Sequence, residues 1–467
     1  MQETKQTGFK LNYKRTVYIG LAFFTILMLW QVYNTYCPLF LSDFFVSHFG
    51  GTPTDHAYLV GIIMAMDNVL ALLVLPLFGA WSDRTKSKLG KRMPFIIVGV
   101  CIAVIVFPLI PIMFIYNQMI WMIIMMGIIL FAMNIYRSPA VSLMPDITPK
   151  PIRSKANAII NVLGYIGGIF AGALGLFFKT SVDSTGRLIY DSTNIWIPFV
   201  ATAILMVVAL VILLLKIKEN KLAIEMASEM ERGDRVAEVN ESIVEDRPLT
   251  GVNKRNMIVL LLSIFLWFFA FNAIETFGST YGTQVLGESS SWWSTAVIVM
   301  TICSIIGFIP GAKLSEKIGR RKTIILGLII MMVALGIAII KLPSWVYLPL
   351  VGIAGVGWAW VNVNSYPMVV EMASKKNIGK LTGFYYTASM LAQSITPILV
   401  GFLFGLLGYE FLFPYAIIFT GIALLVFCLY KTPKKADTQI TTIADDVTLT
   451  TQPKLDDSET TKVTEID

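Results

Sequence analysis

Charge is scarce in this chain. Of its 467 residues only 14% are Asp, Glu, Lys or Arg, histidine occurs twice and cysteine four times, whereas 56% are apolar and the mean hydropathy is +0.71. So little charge excludes an ordinary soluble domain, in which about a quarter of residues are charged. His48 and His56 lie in one short polar segment, and Cys37, Cys101, Cys303 and Cys428 show neither CxxC nor Cys/His spacing. The thiols therefore read as small packing residues, and no metal site is expected. With no P-loop and no nucleophile elbow, nothing in the sequence supports an enzyme, and no cofactor is expected.

What the chain has in abundance is apolar length. Crossing about 30 Å of hydrocarbon takes roughly 20 helical residues, and twelve runs are of that order: 17–41, 57–80, 94–115, 119–143, 157–178, 195–216, 257–280, 292–312, 323–341, 345–370, 380–406 and 411–430. A backbone without water must satisfy its polar groups within its own segment, and the runs are too long for barrel strands. The expected fold class is an all-α membrane protein of twelve transmembrane helices. The first run is too long for a signal-peptide core and lacks an A-x-A site, so it is expected to stay as a span.

The few charges orient the bundle. With the N-terminus in the cytoplasm, 33 of the 37 Lys and Arg residues fall on cytoplasmic segments, and only Lys179, Arg187 and Lys341 fall outside. The positive-inside rule then places both termini in the cytoplasm. The net charge of +7 reflects this topology, and no nucleic-acid partner is expected.

The polar stretch 217–256 divides the spans six and six. This gives a short N-terminal segment (1–16), a six-helix bundle (17–216), a cytoplasmic linker (217–256), a second bundle (257–430) and a tail (431–467). Good helix formers run through Glu231 and predict a helix along the membrane surface, whereas "EDRPLTG" should break it. The Thr- and Asp-rich tail reads as disordered.

Between the second and third spans stands "GAWSDRTKSKLGKRMP", in which Arg84, Lys86, Lys88, Lys91 and Arg92 crowd around one acid, Asp83. Anchoring requires only the bases. An acid at a helix end, with Gly79 allowing close helix approach, suits a contact to the other half that opens and closes. The second half carries an echo, "GAKLSEKIGRRK", with Glu316, Arg320 and Arg321. Looser echoes link "YRSPAVSLMPD", ending on Asp146, with "SYPMVVE", ending on Glu371. Internal duplication is expected, as in many transporters, and Gly79, Asp83, Arg84, Arg92, Asp146, Glu316, Arg320, Arg321 and Glu371 form the expected gating set.

At these residues the sequence resembles the major facilitator superfamily. The added Ser87, Gly90, Arg92 and Pro94 resemble, more narrowly, the sucrose transporters and the related glycoside-pentoside-hexuronide:cation symporters. The resemblance covers the twelve spans and implies two six-helix bundles whose first, fourth, seventh and tenth spans line a central cavity. Those spans carry unusual polar content. The first has Trp30, Gln31 and Asn34; the fourth Asn134 and Arg137; the seventh, "WFFAFNAIET", has Trp267, Asn272 and Glu275; the tenth, "GWAWVNVNSYP", has Trp358 and Asn362. Amides pair with sugar hydroxyls and aromatic faces stack on sugar C–H faces, so this set reads as a sugar site; gluing helices together is the alternative for each residue taken singly. Trp292, Trp293 and Trp345, at span ends, read as interfacial anchors.

Charges inside spans are costly and point to function. Asp67, Arg137 and Glu275 are such charges. Burial favours the protonated form of a carboxylate and a nearby Arg opposes it, which is the competition a proton-coupled cycle uses. Asp67 or Glu275 is the expected proton carrier, with Arg137 as counter-charge or sugar ligand; a static ion pair is the alternative. Two departures from the resemblance bear on this. The melibiose-permease relatives hold sodium with two aspartates a turn apart, but a turn from Asp67 stand Ile63 and Ala71, so a proton is the expected ion. Val141 stands where an Arg of the sucrose transporters would align, one turn from Arg137.

The expected function is import of a disaccharide of the sucrose or maltose type with a proton, across a bacterial plasma membrane, by a monomer. Galactoside, pentoside or glucuronide symport, a non-transporting sugar sensor and drug export are the alternatives.

Overall fold

A computed structural model describes residues 9–177, 180–183, 185–242, 252–372 and 378–431. The breaker "EDRPLTG" and all but the first residue of the tail lie outside the described residues. Each expected span is helical: α1 (Tyr13–Phe49), α2 (Ala57–Arg84), α3 (Met93–Val106) with α4 (Leu109–Ile115), α5 (Met119–Asp146), α6 (Arg153–Gly175), α7 (Ile197–Lys216), α9 (Val252–Gln284), α10 (Ser290–Ile318), α11 (Arg320–Ile337), α12 (Ser344–Glu371), α13 (Ile378–Leu407) and α14 (Leu412–Cys428). Between the halves runs α8 (Glu219–Ser242). The third span is interrupted at Pro108, which has no amide hydrogen to give the preceding turn. Among the described residues, eleven helical stretches, counting α3 and α4 together, are long and apolar enough to cross a membrane. The twelfth, α11, opens on the three cations Arg320, Arg321 and Lys322.

Within the first half α1 packs on α6 and α7, and α3 on α5; within the second, α10 and α11 pack on α12, and α9 on α14. The halves meet where α2 lies along α13, α6 along α10 and α1 against α9. For clarity, the end that carries Asp83 and Arg92 is called the motif end and the opposite one the hairpin end.

The hairpin end owes its name to two short antiparallel strands, β1 (Ser181–Val182) and β2 (Leu188–Ile189). Arg187, which the charge pattern marks only as an outside cation, donates from Nε to the buried carboxylate of Asp43 on α1 at 2.8 Å. The Leu188 amide donates to the same oxygen at 2.9 Å. On the other side Gln284 of α9 donates to the Gly186 carbonyl at 2.9 Å, and the Ser290 amide of α10 to the Thr180 carbonyl at 3.1 Å. The hairpin is thus a strap fastened to both halves. Within it, hydrogen bonds from the Thr185 hydroxyl and the Arg187 amide hold the Asp183 carboxyl below the usual carboxylate range.

Two expectations are corrected. The linker helix runs past Glu231 to Ser242 and docks on the first half. The Glu219 carboxylate accepts the amide hydrogens of Lys91, Arg92 and Met93 at 2.9 to 3.1 Å, which are free because they open α3. Farther along, Asp234 pairs with Lys150 at 3.1 Å. Trp292 and Trp293 are buried packing residues and not interfacial anchors: their rings lie against Gly282 and Gly278 of α9, four residues apart, and Trp292 Nε1 donates to the Ser344 carbonyl at 3.1 Å. Trp345 alone of the three is exposed.

Candidate substrate and proton site

The three charges that the sequence places inside spans come together. Asp67 of α2 lies within electrostatic range of Arg137 of α5 and of Glu275 of α9. The Arg137 guanidinium lies over the Trp30 ring of α1, 5.2 Å from its centroid, a cation–π contact that holds a charge without a second acid. The side chain of Asn34 lies close enough to Glu275 to influence its carboxyl, so the cluster reaches from the first half to the second. Asp67 is 4% exposed, and its Oδ1 has no hydrogen-bond partner among the described residues.

The charges do not balance. Two carboxylates face one guanidinium, which leaves one negative charge too many for a low-dielectric setting. A single proton on either acid makes the cluster neutral.

The neutral residues share a common local habit. Asn134 donates through Nδ2 to the Leu130 carbonyl at 2.9 Å, Asn272 to Phe268 at 2.7 Å and Asn362 to Trp358 at 3.1 Å. Each amide nitrogen thus bonds the preceding turn of its own helix, leaving the amide oxygen as acceptor. Gln31 donates to Thr35 of α1 at 3.2 Å. Trp358 is stacked on Phe271, with centroids 3.9 Å apart and planes 3° from parallel, so one of its faces is already covered. Trp267 is not brought to the cluster. Its ring is fully buried within the second half, edge-on to Phe427 at 6.2 Å; nothing in "WFFAFNAIET" distinguishes an inward Trp from one facing the other half.

Three neighbours escaped the sequence reading. Tyr33 is buried within electrostatic range of Asp67, and Tyr386 of α13, which is exposed, lies within range of Arg137. Asn68 donates from Nδ2 to the Gln393 carbonyl of α13 at 3.3 Å. Adjacency to Asp67 was the one available signal for Asn68; Tyr386 lies on a span assigned no lining role.

At the motif end the expected gating residues form two matching pairs. Arg92, which opens α3, donates to Asp146 at the end of α5 at 2.8 Å, and also binds Asp83 and Ser82; Lys91 adds a 3.1 Å contact to Asp146. Burial works against the Arg92 charge, but Asp146 and then Asp83 outweigh it and keep the guanidinium protonated. In the second half Arg320, which opens α11, donates to Glu371 at the end of α12 at 2.8 Å. Arg321 donates to the Cys428 carbonyl at 2.9 Å, while Arg84 and Glu316 are exposed at the ends of α2 and α10. A Cβ at Gly79 would come within 2.9 Å of Ser138 on α5. The contact expected from Asp83 to the other half is instead made to Arg92 of its own half, which lies nine residues on across a tight turn.

A search among curated proteins gave no sequence match. Among solved structures the chain is similar to a D-xylose–proton symporter, at 16% identity over 91% of this chain and 99% of that one, with a TM-score of 0.66. It is equally similar to the inward-open xylose transporter XylE from E. coli, at 16% identity, 91% and 97% coverage and a TM-score of 0.66. A nucleoside transporter, NupG, follows at 12% identity, 90% and 100% coverage and 0.63. Identities this low speak to the fold alone. The family model described as Major Facilitator Superfamily matches residues 19–310 and 290–455. With its helical halves and matched ion pairs, the chain belongs to the major facilitator superfamily, and it is a membrane transporter and not an enzyme.

Proposed function

We propose that the protein imports a sugar together with a proton, and that the sugar is a disaccharide of the sucrose or maltose type. The observation that carries the reading is the cluster of Asp67, Arg137 and Glu275, with Asn34 of the first half beside Glu275 of the second. A proton neutralises the cluster. Neutral, the site crosses between the two sides of the membrane at lower cost than it would charged, so proton binding favours the change of access. The free oxygens of Asn134, Asn272 and Asn362 offer acceptors to sugar hydroxyls, and Arg137 offers donors. The xylose–proton symporter likeness supports this reading, although the nucleoside transporter shares the fold nearly as well. Membership of the sucrose-transporter branch belongs to the same proposal.

The positive-inside rule supports a cytoplasmic motif end with both termini inside, and the resemblance to bacterial symporters supports a bacterial plasma membrane. The halves 17–216 and 257–430 then rock as units in a monomer, and the strap and the α2–α13 contact close the outer side. Uptake into proteoliposomes under an imposed pH gradient, across sucrose, maltose, trehalose, melibiose and a glucuronide, tests the reading. One disaccharide should accumulate, and a protonophore should collapse the gradient. Accumulation of a galactoside or glucuronide would move the assignment to those symporters, and binding without uptake would make the protein a sensor.

A further inference from the structure

We infer that Asn68 is a positioning residue that holds the hairpin end closed by satisfying a backbone carbonyl that Pro397 leaves open. Pro397 lies inside α13 and has no amide hydrogen for the carbonyl four residues back, that of Gln393. In hydrocarbon such a carbonyl cannot turn to water and needs another donor. The Nδ2 of Asn68, on the opposite half, supplies it at 3.3 Å. The bond sits on a continuous antiparallel seam. Toward the hairpin end Gly61 meets the Pro397 carbonyl itself, Gly401 meets the Ala57 carbonyl, and Tyr409 donates to the Pro53 carbonyl at 2.9 Å. Any side chain at Gly61 or Gly401 would hold the helices apart.

The inference rests on the reading that the two halves rock. When the hairpin end opens, α2 leaves α13, the Asn68 bond is lost, and water entering the gap must take over both groups. The bond therefore exists only in the closed arrangement and favours it. Because Asp67 precedes Asn68 on the same turn, the bond also fixes the rotation of α2 that presents the carboxylate to Arg137.

The test is the distance between spin labels at the hairpin end, one replacing Phe49 and one Trp345, both exposed, in a background with the exposed Cys101 and Cys428 changed to serine. It is read without sugar and without a pH gradient. Asn68→Leu should raise the ratio of open to closed populations about threefold to tenfold, the worth of one net hydrogen bond; Asn68→Ala serves if the leucine variant does not fold. Pro397→Ala returns an amide hydrogen to Gln393 within α13, so in that background Asn68→Leu should change nothing further. An unchanged ratio in Asn68→Leu, or effects that multiply in the double variant, would overturn the inference. A chain that transports some other solute would still show the shift, so failure of the sugar reading and failure of this one are separable.

Discussion

At the residue scale the chemistry rests on a mismatch of one charge. Asp67 is the more buried of the cluster's two acids and has an oxygen without a partner among the described residues, so it is the group whose loss should uncouple transport. Asp67→Asn is expected to abolish accumulation against a gradient while sparing sugar exchange across equilibrated vesicles; persistent uphill uptake would assign the proton to Glu275. That Asp67, Arg137 and Glu275 are costly inside spans was legible in the sequence, because charge in an apolar run stands out. That they share one cluster was not, since they lie on three helices far apart in the chain. Tyr33 and Tyr386 escaped for a similar reason: tyrosine is common in spans, and only its neighbours mark it.

Among the elements, the matched pairs Arg92–Asp146 and Arg320–Glu371 show the same device built twice, each joining the start of one helix to the end of the next long one. They differ in burial. The Arg92 side chain is 5% exposed, against 36% for Arg320 and 57% for its partner Glu371. Removing one member of a buried pair costs about 3–5 kcal/mol, whereas an exposed pair contributes about 0–1 kcal/mol. Thermal unfolding in detergent should accordingly show Arg92→Gln far less stable than Arg320→Gln, and equal losses would refute the contrast. The repeated motifs marked all four residues as gating candidates without pairing them. They did not announce that Asp83 turns back to its own half, nor that Glu219, from a helix beyond the bundle, caps α3; an acid in a polar linker has no distinguishing neighbour in sequence.

For the whole molecule, the seam between α2 and α13 is the longest contact between the halves and the one on which the inferred closure of the hairpin end rests. Valine at Gly61 would drive its side chain into the Pro397 carbonyl. Overpacking of this kind costs about 1–3 kcal/mol, so Gly61→Val should shift the population toward an open hairpin end by about tenfold and depress uptake while the bundle remains folded. Labelling of a hairpin-end cysteine from outside, together with transport rates, checks both parts. By itself the sequence determined the all-helical membrane class and where its long apolar helices fall, because hydrophobic length is a local property that the bilayer reads directly. Only the tertiary structure decided which polar residues share a cluster, that Trp267, Trp292 and Trp293 turn into the packing, that Asp43 and Arg187 fix the hairpin which Gln284 and Ser290 tie to the second half, and that a carbonyl freed by Pro397 finds its donor on the other half. Those outcomes depend on the rotation of each helix about its axis and on which helix lies beside it, and a uniformly apolar run carries little information about either.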